Sequence, residues 1–152
     1  MSALHDESRS VLVADDDPDD FLTFEVVCEE LSFKIVLSHV TNSDALLKAL
    51  DEQLPDILFL DIMMPTLTGT HCLRMLRSNR RFDGLPIIMY TSMTDIENVE
   101  FCFREGANLY VIKPSSFQEL KQTLERILTI NWKKAMYFPT RDSFVIQAQL
   151  KP

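Results

Sequence analysis

Val11-Leu12-Val13-Ala14-Asp15-Asp16-Asp17-Pro18 is the stretch that decides the fold of this chain. Four apolar residues, two of them β-branched, are cut off by three acids and a proline, which reads as a short buried strand ending at a loop. Asp17 and Pro18 supply an N-cap and a proline at the first helical position, so a helix opens directly behind the strand. Phe21, Phe24, Cys28 and Leu31 then recur at helical spacing, with Asp19, Asp20, Glu25, Glu29 and Glu30 mostly on the other side. The unit is strand, acidic loop, helix. Its acids stand at the carboxyl edge of the strand, where open α/β sheets bind their ligands.

The same alternation continues outward from this unit. Apolar runs at roughly 10–14, 34–40, 56–60, 86–90 and 109–112 predict five strands, and helical patterns follow each. The second helix runs from about Ser43 to Glu52. Pro55 and Asp56 introduce a third strand that is almost wholly apolar and therefore central. Pro65 and Gly69 lie in the loop before a helix carrying Cys72, Leu73 and Leu76. Asp83-Gly84-Leu85-Pro86 turns into the fourth strand. Ile96, Val99 and Phe103 mark the fourth helix, which stops near Gly106. Ser116 with Glu119 resembles a capping box for the last helix, with Phe117, Leu120, Leu124 and Ile127 as its buried stripe. Strands alternating with amphipathic helices predict an α/β fold: a doubly wound five-stranded parallel sheet covered on both faces. Residues 1–8 read as an N-terminal tail, 9–131 as one domain and 132–152 as a C-terminal extension.

Composition fits one domain with a proper core: 152 residues, 46% hydrophobic and 25% charged. A net charge of −8 gives no footprint for general binding to a nucleic-acid backbone. Cys28, Cys72 and Cys102 are widely spaced, lack a CxxC pair and fall in helical patterns, so they read as reduced apolar residues suited to a reducing cytoplasm. The N-terminus lacks the basic and apolar regions of a signal peptide, and no apolar stretch approaches the length of a membrane span.

Three further strand ends carry chemistry: Asp61 after Ile57–Leu60, Thr91 after Ile87–Tyr90, and Lys113 after Tyr110-Val111-Ile112. Carboxylates packed together are costly unless a cation joins them. Two acids, a third acid, a hydroxyl and an amine at strand ends describe a magnesium-dependent phosphorylation site. Each residue alone also fits a plainer role. The acids before Pro18 could cap a helix, Asp61 could make a turn, Thr91 could be structural and Lys113 an exposed loop lysine. The specificity lies in the combination and its order.

On these residues the chain resembles the receiver domain of two-component response regulators, of which the chemotaxis response regulator is the minimal form. The resemblance covers roughly residues 9 to 130. It rests on Asp15-Asp16, on Asp61-Ile-Met-Met-Pro65 with Gly69, on Tyr90-Thr91-Ser92, and on Tyr110-Val-Ile-Lys113-Pro114. The intervals match as well: 45 residues from Asp16 to Asp61, 30 on to Thr91 and 22 on to Lys113. The resemblance implies that Asp61 is the phosphoacceptor, taking a phosphoryl group from a histidine kinase or histidine phosphotransfer protein. It implies Mg2+ bound directly by Asp16, chiefly through water by Asp15, and by Asp61 and the Met63 carbonyl. Lys113 would add a second positive charge, the Thr91 hydroxyl would hydrogen-bond the phosphoryl group, and a cis Lys113-Pro114 bond would aim the lysine. Tyr110 matches the family's switch aromatic, which enters the space Thr91 vacates; a tyrosine on a half-buried strand with no special task is the plainer reading. Such a protein is no enzyme beyond promoting its own phosphorylation and dephosphorylation. The family's hydrolysis-controlling positions hold Met63 and Met93, which implies slow loss of phosphate.

Other readings of the fold meet specific obstacles. A flavodoxin-like cofactor binder needs a hydroxyl- and glycine-rich phosphate loop where this chain has three aspartates. A phosphatase of the haloacid dehalogenase type keeps an aspartate two positions past its nucleophile, where Met63 stands. A degenerate receiver would lack acids, threonine or lysine that are intact here. About twenty residues follow the last helix, too few for a DNA-binding output unit, so the expected partners are a phosphodonor protein and a downstream protein target, without DNA or membrane. The extension holds Trp132, Met136, Tyr137 and Phe138. It resembles the extended last helix of the single-domain receivers serving bacterial phytochromes, which suggests a homodimer through helix five and the extension. A tail packed back on its own domain fits equally well.

Overall fold

The computed structural model describes residues 8–132 and 138–147. The chain alternates β1 (Arg9–Ala14), α1 (Pro18–Glu29), β2 (Ile35–Val40), α2 (Ser43–Glu52), β3 (Ile57–Leu60), α3 (Gly69–Arg77), β4 (Ile87–Thr91), α4 (Ile96–Arg104), β5 (Leu109–Ile112) and α5 (Phe117–Leu128). A one-turn helix, α6 (Arg141–Phe144), and a two-residue strand, β6 (Val145–Ile146), come from the extension. The sheet order is β2-β1-β3-β4-β5-β6, with every neighbouring pair parallel. The expected sheet of five strands thus gains a sixth. β5 would otherwise present an unpaired edge, and the chain covers that edge with its own residues.

Strand residues alternate between two cores, as a pleat requires. Val11, Val13, Ile57, Phe59, Ile88, Tyr90, Leu109 and Val111 face α1 and α5. Leu12, Ala14, Leu58, Leu60, Ile87, Met89 and Tyr110 face α2, α3 and α4. The caps are formed as expected at α1, where the Asp17 carboxylate accepts the Asp19 and Asp20 N–H groups, and at α5, where Ser116 accepts the Glu119 N–H. The expected stripes need two corrections. Ile96 is 61% exposed and Phe117 36%. Both occupy a first helical position, where side chains lean toward the N-terminus and overhang the sheet. The buried positions of α4 are Val99, as expected, and Cys102, with Phe103 half-buried.

All three cysteines are free and buried. Burial pushes the Cys28 and Cys102 thiols up to about 12, so they behave as apolar packing groups. Among the described residues no helix is long and apolar enough to cross a membrane.

The extension is in part self-packed. The indole N–H of Trp132 donates to the Ile127 carbonyl, and its ring lies against the α1/α5 core. Phe144 is fully buried on the opposite face. Met136 and Tyr137, expected on a dimer surface, lie outside the described residues.

At the amino end of the sheet, far along the strands from the acids, Arg77 ties four segments together. Its guanidinium donates to the carbonyls of Gly106, Phe82 and Leu85 and to the Asn108 side-chain oxygen, at 2.7 to 2.9 Å. Burial pulls this guanidinium down to about 10, yet it stays charged at neutral pH. Nothing in the sequence pattern of α3 marked it. Arg77→Met leaves several acceptors without a donor, each at a cost of ~1–3 kcal/mol. The expected outcome is a loss of about 3 kcal/mol or more in urea unfolding. Arg77→Lys, lacking the planar fork, restores only part of it.

Candidate functional site

The chain leaves β1 toward β2 on one side and returns to β3 on the other, so a crevice opens beyond the carboxyl ends of β1 and β3. Asp15 and Asp61 stand at that opening. Asp15 continues the ladder, its N–H donating to the Val40 carbonyl, and the Asp61 N–H donates to the Ala14 carbonyl. One Asp15 carboxylate oxygen accepts the Asp17 N–H at 2.9 Å, and the Asp15 carbonyl meets His39 Nε2 at 2.8 Å, with the His39 ring stacked on Phe21. Asp61 Oδ1 accepts the N–H of Ile62 at 2.7 Å. Both acids are buried, at 0% and 5% exposure, while Asp16 is exposed.

The loop behind Asp61 is held by close backbone contact. A Cβ on Gly69 would lie 2.0 Å from the Asp61 carbonyl oxygen, so only glycine fits. The Gly69 N–H donates to the Ile62 carbonyl, Leu67 N–H to Ser43 Oγ, and Thr66 takes a left-handed φ of 76° within the same loop. The acid is therefore aimed by a rigid turn.

Lys113 reaches into the crevice from the end of β5, its N–H bonded to the Thr91 carbonyl. Its ammonium lies 2.8 Å from Asp15, 2.7 Å from Asp61 and 2.7 Å from Asp20. It donates hydrogen bonds to Asp20 and Asp61 and pairs by charge with Asp15, whose buried Oδ2 has no well-aligned donor. Burial alone would draw this amine down, but the interactions with Asp15, Asp20 and Asp61 outweigh it and hold the amine above its ordinary range. Asp20 was missed by sequence reasoning, which placed it among the polar-face acids of α1. Its position three residues past the N-cap, one turn behind the acidic loop, was the available signal. The Lys113-Pro114 peptide is not cis, as no described peptide is. The lysine is aimed by its main-chain bond and its three acids instead.

Thr91 is fully buried at the end of β4, where its hydroxyl accepts the Met93 N–H at 3.3 Å. Tyr110 is buried too, and its hydroxyl donates to the Met93 carbonyl at 2.7 Å. Met63 is 60% exposed beside Asp61, and Met93 is half-buried. The structure thus brings Asp15, Asp16, Asp61 and Lys113 into one cluster, with Asp20 added. Thr91 lies on the adjoining strand and Tyr110 one strand further.

Comparison with known proteins gives the class. The family profile described as the response regulator receiver domain matches residues 11–125, and the chain belongs to that family. The DNA-binding response regulator MtrA of Mycolicibacterium smegmatis is 34% identical over 112 residues, 74% of this chain and 47% of MtrA. The chain spans about half the length of the curated relatives it matches. A putative response regulator from Chloroflexus aurantiacus superposes with a TM-score of 0.69 at 27% identity, covering 82% of this chain and 100% of the other. The phosphorylated cyanobacterial phytochrome response regulator RcpA superposes at 0.72 and 16% identity, over 81% and 96% of the two chains, a likeness of fold. The protein is a receiver domain of two-component signalling, and receivers as a family are phosphoacceptor modules with a Mg2+ pocket.

The residues present suit that ion. Asp15, Asp16 and Asp61 each offer a carboxylate oxygen, and these oxygens lie within 4.8 Å of one another. An all-oxygen set with one exposed member fits a hard cation that keeps part of its water. The charge balance asks for it too. Counting Asp15, Asp16, Asp20 and Asp61 against Lys113 gives −4 + 1 = −3.

Burial raises the Asp15 carboxyl above its model-peptide value of 3.8; Lys113 and the Asp17 N–H oppose this and the Asp61 charge adds to it. A folded-state value above the unfolded one means that Asp15 favours folding fully only below about 3.8, and that this contribution is lost as pH rises through the folded value. Asp15→Asn is therefore expected to unfold at higher temperature than wild type at pH 7 without Mg2+. The difference should vanish near pH 3.5, and the variant should lose most of the midpoint rise that Mg2+ gives wild type. Thermal scans at the two pH values, with and without Mg2+, check both.

Proposed function

We propose that Asp61 accepts a phosphoryl group from the phosphohistidine of a kinase or phosphotransfer protein, and that the chain signals through the protein contacts this changes. The observation that carries the reading is Asp61 Oδ2, buried and 2.7 Å from Lys113, beside Asp15 and Asp16. One Asp61 oxygen attacks phosphorus as the P–N bond breaks, and the imidazole leaves with the electron pair and takes up a proton. Lys113 follows the charge onto the phosphoryl oxygens, where a buried ammonium counts for more than in water. The Thr91 hydroxyl gives up the Met93 N–H and donates to the product. Asp15, Asp16, Asp61 and the Met63 carbonyl would hold Mg2+, which supplies neutralisation of the transferring oxygens. Tyr110 reads the change through the Met93 carbonyl. Partners are a phosphodonor protein and a downstream protein target; the net charge of −8 disfavours DNA contact by the receiver itself.

Acetyl phosphate with Mg2+ should add one phosphoryl mass to the intact chain, and Asp61→Asn should remove the labelling. Equal labelling of that variant takes Asp61 out of the role, and no labelling with any donor marks a degenerate receiver.

The lifetime of the acyl phosphate follows from its neighbours. Met63 and Met93 offer an attacking water no good hydrogen bond, and the thioethers cover the approach. The phosphorylated protein should decay slowly, and Met63→Asn with Met93→Glu should shorten its half-life by about a hundredfold, the low end of what one positioned proton acceptor contributes. Half-lives from a mass time course after removing the donor check this.

A further inference from the structure

We propose that the segment Arg141–Ile146 is an intramolecular ligand of the Tyr110 switch: docked, it holds Tyr110 inward, so its docking and phosphorylation of Asp61 favour one another. The proposal rests on the phosphoacceptor reading above and extends it to the C-terminal extension.

Three contacts seat the segment. Val145 and Ile146 lie in parallel register with Tyr110 and Val111, closing the edge of β5. Phe144 is fully buried, its ring edge-on to Phe103 of α4 at 5.2 Å and tilted over Tyr110 at 6.2 Å. Arg141 pairs with Glu100 of α4 at 2.6 Å. Strand pairing, an aromatic anchor and an ion pair together form a specific seat of the kind used when peptides add a strand to a sheet edge.

The seat is continuous with the site. Phe144 touches Tyr110, the Tyr110 hydroxyl donates to the Met93 carbonyl, and the Met93 N–H donates to Thr91 Oγ. Phe144 packs beside the Tyr110 ring in the same core, and both are fully buried. A seated Phe144 keeps Tyr110 walled in, so release of Phe144 is what frees the Tyr110 ring to move. Two discrete arrangements follow: segment docked with Tyr110 inward, or segment released with Tyr110 free. Inward Tyr110 is the form that the movement of Thr91 toward a phosphoryl group selects. A ligand that binds one of two states better shifts the population toward it, and the linkage is reciprocal. Here the docked segment already holds Tyr110 buried and bonded to the Met93 carbonyl while Thr91 is still in place, which makes the receiver more ready for phosphate and makes phosphate tighten the segment.

Beryllofluoride with Mg2+ serves as the probe, on the full chain, in wild type, Phe144→Ala and Arg141→Glu. The second variant sets like charges against Glu100 at a partly exposed pair and leaves the core intact. Hydrogen exchange reports segment docking at residues 110–112 and 144–146, and calorimetric titration reports beryllofluoride affinity. Both variants should exchange faster at these residues and bind beryllofluoride about fivefold or more weakly, the lower end of ordinary allosteric coupling. Beryllofluoride should also slow exchange at 144–146 in wild type. Variants that release the segment yet bind beryllofluoride as wild type does would overturn the coupling and make the segment a passive edge cover. If wild type itself does not bind beryllofluoride, the phosphoacceptor reading falls and the coupling falls with it. If exchange shows the segment still docked in both variants, Phe144→Asp forces a charge into the seat, and the same comparison decides.

Discussion

One ammonium holds this site together. Asp15 and Asp61 are buried side by side at adjoining strand ends, and neither has enough backbone donors to carry its charge alone. Without Lys113 the crevice would be a pocket of mutually repelling carboxylates in a poorly solvated place. With it, three acids from three elements are drawn to a single point, and the carboxyl ends of β1, β3 and β5 and the start of α1 are fixed relative to one another. The arrangement is neutralised only in part. That remaining negative charge is what a divalent cation in the Mg2+ pocket common to receivers would offset.

The fold makes such a concentration tolerable. The chain's change of winding direction between β1 and β3 leaves a crevice beyond the strand ends, where exposed Asp16 keeps access to water while Asp15 and Asp61 stay buried with their backbones in the ladder. The two cores beneath are dry and continuous, and they stiffen the strands whose ends carry the charges. At the far end of the sheet Arg77 does a related task on neutral acceptors, gathering carbonyls from loops that would otherwise splay. Each end of the sheet is thus organised by one long cationic side chain serving several oxygens.

Much of this was legible in the chain. Runs such as Ile57–Leu60 declare buried strands by composition alone, and Asp17-Pro18 and Ser116 declare helix starts by capping chemistry, so the five β-α units and the strand-end residues follow directly. What stayed hidden shares a cause: it depends on partners distant in sequence. Asp20 looks like any polar-face acid until Lys113, 93 residues on, arrives beside it. Arg77 looks like a surface residue on α3 until the loops around Phe82, Leu85 and Gly106 close over it. β6 is two residues long, too short for a period-two pattern, and only the vacant edge of β5 gives it meaning. Ile96 and Phe117 misled because apolar spacing says nothing about where the sheet stops beneath a helix's first turn.

The Gly69 contact has a mechanical corollary. With its Cα pressed against the Asp61 carbonyl, and with Ser43 and Ile62 bracing the same loop, the backbone carrying Asp61 has no slack in which to yield. The turn after β4 is held by side chains rather than by close backbone contact: the Met93 N–H donates to Thr91 at 3.3 Å, the Tyr110 hydroxyl to the Met93 carbonyl, and the Asn98 amide to Met93 Sδ and Asp95. Stiffness is therefore distributed unevenly around the crevice. A change in charge at Asp61 would meet a braced backbone on the α3 side and a less tightly tied turn on the α4 side.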